Sequence, residues 1–139
     1  MNRPQPTPPA HCTFEPEDWL RLAKCWHPVA RACDIGPAPV KATLLDEQLV
    51  IYRIKGQVVV ARDVCPHRGV PLTLGFHDEE GIVCPYHGLR FGEDGRCNRI
   101  PSSPGQPVPA KLNLTSFAVE ERYGLIWTCL AFDPENPMP

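Results

Sequence analysis

Two short segments hold the residues best suited to chemistry: Cys65-Pro66-His67 and Cys84-Pro85-Tyr86-His87. Each offers one thiolate and one imidazole, and sixteen residues separate His67 from Cys84. Each contains a proline and runs into a glycine, Gly69 or Gly88. Such loops can bend back and point two side chains at one centre. Four donors of this kind could hold zinc tetrahedrally. In common Cys₂His₂ zinc sites, however, one arm brings both cysteines and the other both histidines. Here each arm is mixed, C-x-H and C-x₂-H. That order suits a two-iron centre in which one iron takes both cysteines and the other both histidines.

The remaining cysteines fit a reduced chain. There are seven in all, adding Cys12, Cys25, Cys33, Cys97 and Cys129 to the two above. An odd number and an N-terminus without an apolar signal-like stretch point to a cytoplasmic protein, where clustered cysteines favour metal over disulfides. Cys25, Cys33, Cys97 and Cys129 read as small buried apolar residues, and Cys12 as an exposed thiol in a tail. His11, His27 and His77 are scattered. No D/E-x₂-H-x₄-H pattern exists to hold a mononuclear iron. Trp19, Trp26 and Trp127 read as core or interface anchors. Fourteen basic and sixteen acidic residues leave a net charge of −2 without a basic block. Neither nucleic acid nor membrane is expected as a partner, and no apolar run approaches the ~18 residues of a membrane span.

The elements that must position the two loops read as short strands. The chain has 139 residues, about one domain, and its 18 prolines exclude a long helical bundle. Eight of those prolines fall in residues 1–16 and 133–139, read as a flexible proline-rich tail and a linker or truncated end. Residues 17–132 form the domain. Runs at 40–45, 48–54 and 57–62 are separated by Asp46-Glu47 and Lys55-Gly56 turns. Shorter runs lie at 82–83, at 89–91 and 96–100 around Glu93-Asp94-Gly95, and at 116–120 and 125–130 around Arg122-Tyr123-Gly124. Only residues 17–24 suit a helix, with Pro16 at its start and Glu17-Asp18 in its first turn. Regular short strands with turn signals predict an all-β antiparallel sandwich or barrel.

The two loop segments, Cys65-Pro66-His67-Arg68-Gly69 and Cys84-Pro85-Tyr86-His87-Gly88, resemble the two-loop signature of Rieske proteins. The likeness is strongest to the Rieske domain of Rieske non-haem iron oxygenases, the aromatic-ring-hydroxylating and O-demethylating enzymes. Trp26-His27-Pro28-Val29-Ala30, residues 91–97 and Tyr123-Gly124-Leu125-Ile126-Trp127 extend the resemblance over residues 17–132. It implies a Rieske-type β-sandwich or barrel with a smaller cluster-binding subdomain of two loops. It implies a 2Fe–2S cluster with Cys65 and Cys84 on the inner iron and His67 and His87 on the outer one. High-potential relatives carry an extra cysteine in each loop, where this chain has Val70 and Tyr86, and a serine and tyrosine where it has Leu89 and Phe91. The resemblance therefore implies a potential near the low end of the Rieske range, about −150 mV.

The same resemblance implies an electron-transfer component of an oxygenase system. A reductase or ferredoxin would supply single electrons, and an oxygenase catalytic domain or subunit outside this chain would accept them at a mononuclear iron. A self-standing Rieske ferredoxin and a zinc-stabilised binding domain are the alternatives. Substrate, reductase identity, oligomeric state and whether the chain is complete or truncated are not readable from these residues.

Overall fold

The computed structural model describes residues 6–139. The first five residues of the expected 1–16 tail lie outside the described residues. Among the described residues, a short helix α1 (Pro16–Ala23) is followed by ten strands. Six of these form one antiparallel sheet in the order β1 (His27–Arg31), β10 (Leu125–Cys129), β9 (Ser116–Arg122), β4 (Gln57–Arg62), β3 (Glu47–Ile54), β2 (Val40–Leu44). The two edge strands approach each other, so the sheet curls towards a barrel. The other four, β5 (Phe76–Asp78), β6 (Gly81–Val83), β7 (Arg90–Phe91) and β8 (Cys97–Arg99), make a small second sheet. The second loop lies within this sheet, between β6 and β7, and the first lies on the connection from β4 of the larger sheet to β5.

The period-2 alternation of strand side chains explains how the two parts join. On β3, Leu49 and Ile51 point into the barrel with Trp19, Ala23, Val60, Ile126 and Leu130. Val50, Tyr52 and Ile54 point the other way, onto Ile82, Leu89, Phe91 and the two loop cysteines. A strand buried on both faces reads as a continuous apolar run, which is the sequence of residues 49–52. The Tyr52 hydroxyl donates to the Gly92 carbonyl at 2.7 Å, and the His77 ring bonds the Arg53 carbonyl. Both contacts tie the small sheet to β3.

Helix α1 closes the barrel. Pro16 sits at the first helical position, Glu17 and Asp18 in the first turn, and Arg21 in the last, each favourable to the helix dipole. Trp19 and Ala23, four residues apart, are buried on one face. The Trp19 indole N–H donates to the Leu45 carbonyl at 3.0 Å. The turns between β2 and β3, β3 and β4, and β9 and β10 each place two residues at positive φ: Leu45 and Asp46, Lys55 and Gly56, Tyr123 and Gly124. That conformation matches the strand twist of a tight hairpin.

The strands read from sequence are present. Strands β1 and β5 are additional. Proline at position 28 argues against a strand, yet β1 is an edge strand and its pairing with β10 slips between Pro28 and Ala30. Among the cysteines, Cys97 and Cys129 are buried as expected, whereas Cys25 and Cys33 are exposed. Cys12 is half-buried rather than exposed, because it packs against the barrel core. Next to it, the Thr13 amide and hydroxyl both donate to the Asp46 carboxylate, at 2.8 and 2.6 Å. No helix among the described residues is long and apolar enough to cross a membrane.

Candidate metal centre

The two loops repeat one backbone design. In the first, the Cys65 amide donates to Val70 O at 2.8 Å and the Gly69 amide to Cys65 O at 2.7 Å. In the second, the Cys84 amide donates to Leu89 O at 2.9 Å and the Gly88 amide to Cys84 O at 3.1 Å. Each loop thus closes on its own cysteine and turns through a glycine at positive φ, Gly69 at 76° and Gly88 at 73°. Side chains with a Cβ are strained in that conformation. The first loop leaves the end of β4, and the second joins β6 to β7.

This design sorts the four donors by depth. Cys65 and Cys84 are both 2% exposed and adjoin each other in the core between the two sheets. His67 and His87 are exposed, with ring centroids 5.0 Å apart. The Tyr86 ring packs edge-on against His87 with centroids 4.0 Å apart. The two cysteines singled out from sequence thus adjoin each other in the core, and the two histidines adjoin each other on the exposed loops. Among the described residues, no three His, Cys, Asp or Glu side chains converge on a single-ion position. A thiol pair and an imidazole pair, each kind side by side, fit a two-iron cluster with sulfur donors at one end and nitrogen donors at the other.

Burial pushes the Cys65 thiol above its ordinary value, and the adjacent Cys84 adds to the effect. The backbone amides of His67 and Arg68 act in the opposite sense. A thiolate here needs compensating positive charge, which bound iron supplies. Cys97 is also pushed up by burial, but it lies outside both loops.

Three supports lie outside the loop motifs. Asp63, two residues before Cys65, is 3% exposed, and its carboxylate accepts from the Thr73 amide at 2.9 Å and the Thr73 hydroxyl at 2.8 Å. This clip closes the chain that follows the first loop. Residues Ile100, Val108 and Leu112 pack from a long proline-rich segment against the same core as the cysteines. Pro101 of that segment lies against Gly88. The third support is Gly75, where an added Cβ would lie 2.0 Å from the Val83 carbonyl oxygen. Its φ of −87° is ordinary, so the requirement is close approach to β6 and not conformation. Gly75→Ala is expected to destabilise the fold by about 1–3 kcal/mol through overpacking. A urea midpoint equal to that of the parent chain would refute this.

Arg68, beside His67, is exposed, and among the described residues it makes no ion pair within hydrogen-bonding range. Trp26 packs edge-on against Phe132 with centroids 5.8 Å apart.

Comparison with known proteins matches residues 25–117 to the family described as Rieske [2Fe-2S] domain. Methylxanthine N1-demethylase NdmA of Pseudomonas putida is 41% identical over 114 residues, which is 76% of this chain and 32% of that protein. Oxidoreductase NdmD of the same organism is 35% identical over 116 residues, 81% of this chain and 20% of that protein. The solved structure of apo dicamba monooxygenase superposes with a TM-score of 0.76 at 38% identity, covering 85% of this chain and 36% of the other. The chain thus spans about a third of the length of the demethylase it matches. The paired thiols and imidazoles, the two-sheet fold and these likenesses agree: the chain belongs to the Rieske [2Fe-2S] domain family.

Proposed function

We propose that this chain is the Rieske domain or component of an oxygenase system and that residues 17–132 form its electron-transfer domain. In this reading Cys65 and Cys84 hold the inner iron and His67 and His87 the outer iron. The cluster, when bound, accepts and releases one electron at a time. The protein's part is to bury the sulfur end, expose the histidine end and keep both loops rigid through their own backbone bonds. A reductase or ferredoxin would supply the electron in the cytoplasm. An oxygenase catalytic domain or subunit would accept it at a mononuclear iron outside these residues.

The depth sorting of the four donors carries this reading, because it leaves the imidazole edge as the exposed route for an electron. The likeness to NdmA and to dicamba monooxygenase favours an oxygenase system over a self-standing ferredoxin. The test is reconstitution with iron and sulfide under reducing conditions. The expected product is red-brown and takes up about one electron per chain with a Rieske-type EPR signal. Supplied with reductant and O₂ alone, it is expected to hydroxylate or demethylate nothing. A colourless zinc-binding product, or substrate oxidation without a partner, would overturn the proposal.

A further inference from the structure

Asp63 carries a charge that its structural role does not need. Its carboxylate is buried, and each oxygen accepts one bond from Thr73, Oδ1 from the amide and Oδ2 from the hydroxyl. Among the described residues it makes no ion pair with Lys, Arg or His. The other buried acid, Glu47, differs, since it pairs with Arg62. An asparagine would close the same clip: its carbonyl can accept from the Thr73 amide, and its NH₂ group can donate to the Thr73 hydroxyl oxygen. A buried carboxylate without a cation is costly, so the amide of the same shape would be the more stable choice.

Val59, Ala61 and Cys65 lie in the core between the two sheets, and Asp63 is the intervening alternate residue of the same run. Thr73, its partner, follows Leu72, which packs in that core with both cysteines. Two residues of chain span at most about 7 Å, so the carboxylate lies close to the sulfur end of the site. Resting on the electron-transfer reading above, we infer that Asp63 is a potential-setting residue, whose buried carboxylate opposes each electron that enters the cluster and so holds the potential down. Reduction adds one negative charge to the site. A fixed anion at such range, in a weakly screened interior, disfavours that step. The effect is separate from hydrogen bonding to sulfur and adds to it. Neighbouring cations compensate it little: Arg62 is paired with Glu47, and Arg68 of the first loop is exposed to solvent.

The test is spectroelectrochemical titration, at neutral pH, of the full chain with its cluster reconstituted. Asp63→Asn is expected to raise the potential, the equilibrium constant for one-electron reduction increasing roughly tenfold, which is about 59 mV. Thr73→Val removes a donor but keeps the charge, and is expected to give no rise. Glu79→Gln removes an exposed charge from the β5–β6 turn and is also expected to give none. The apo chain of Asp63→Asn is expected to unfold in urea at or above the parent midpoint, because the clip closes without a buried charge. No rise in Asp63→Asn, or an equal rise in either control, would overturn the inference. So would a lowered urea midpoint or loss of the cluster in Asp63→Asn, either of which would make the carboxylate a structural requirement of the loop. Failure to form a Rieske-type EPR signal in the parent chain would instead overturn the electron-transfer reading beneath it.

Discussion

A Cys84→Ser chain is expected to purify colourless, with iron falling from about two atoms per chain to nearly none. The hydroxyl that replaces the thiol does not ionise in this setting, so the inner iron loses one of two anionic donors. The position leaves little room for substitution by a neighbour. Cys84 is 2% exposed, adjoins Cys65, and is fixed at the start of its loop by backbone bonds to Leu89 and from Gly88. The remaining thiol, Cys65, is already pushed towards the neutral form by burial, a cost that the amides of His67 and Arg68 reduce and that bound iron would offset. Stability should fall with occupancy, because a group that binds only the folded chain stabilises it by mass action. Cys97→Ser is the matched control. Cys97 is 6% exposed in the same core, but its sulfur lies against the Arg99 carbonyl, outside both loops. Iron content and EPR signal should survive there. Loss of the cluster in both variants would mean that Cys84 acts through packing and not as a ligand.

Much of this arrangement could be read from the chain because it is local. A cysteine, a proline, a histidine and a glycine within five residues specify a tight loop by themselves, and the hairpins flanking Lys55-Gly56 and Tyr123-Gly124 are set by turn chemistry. What escaped depends on distant partners. Phe76–Asp78 is too short to show alternation and becomes a strand only by pairing with Gly81–Val83. The edge strand at His27–Arg31 contains a proline that local rules count against it. Asp63 looks like an ordinary strand-end acid until Thr73, ten residues later, folds back onto it.

Leu89→Ser and Phe91→Tyr should each raise the reduction potential, and the parent chain should titrate near −150 mV, the low end of the range for this cluster type. The physical term is donation to sulfur. The amides of His67 and Arg68 favour the ionised Cys65 sulfur, but the side chains packed around the two cysteines are hydrocarbon: Leu72, Ile82, Leu89 and Phe91. The nearby hydroxyls are engaged, Tyr52 with the Gly92 carbonyl and Thr73 with Asp63. Sulfur left without hydroxyl donors is more electron-rich, which favours oxidised iron. A hydroxyl bonded to charged sulfur is worth about 1.5–3 kcal/mol, and only the part that strengthens on reduction counts. For a one-electron couple at 59 mV per tenfold, that allows shifts of roughly 50–100 mV upward. Phe91 is fully buried, so the tyrosine must find room as well as a partner, and Leu89 at 3% exposed gives the serine the easier task. Spectroelectrochemical titration of the reconstituted parent and both variants decides the matter. A parent value above roughly +100 mV would show that the sulfurs already receive strong donors and that Leu89 and Phe91 do not set the potential.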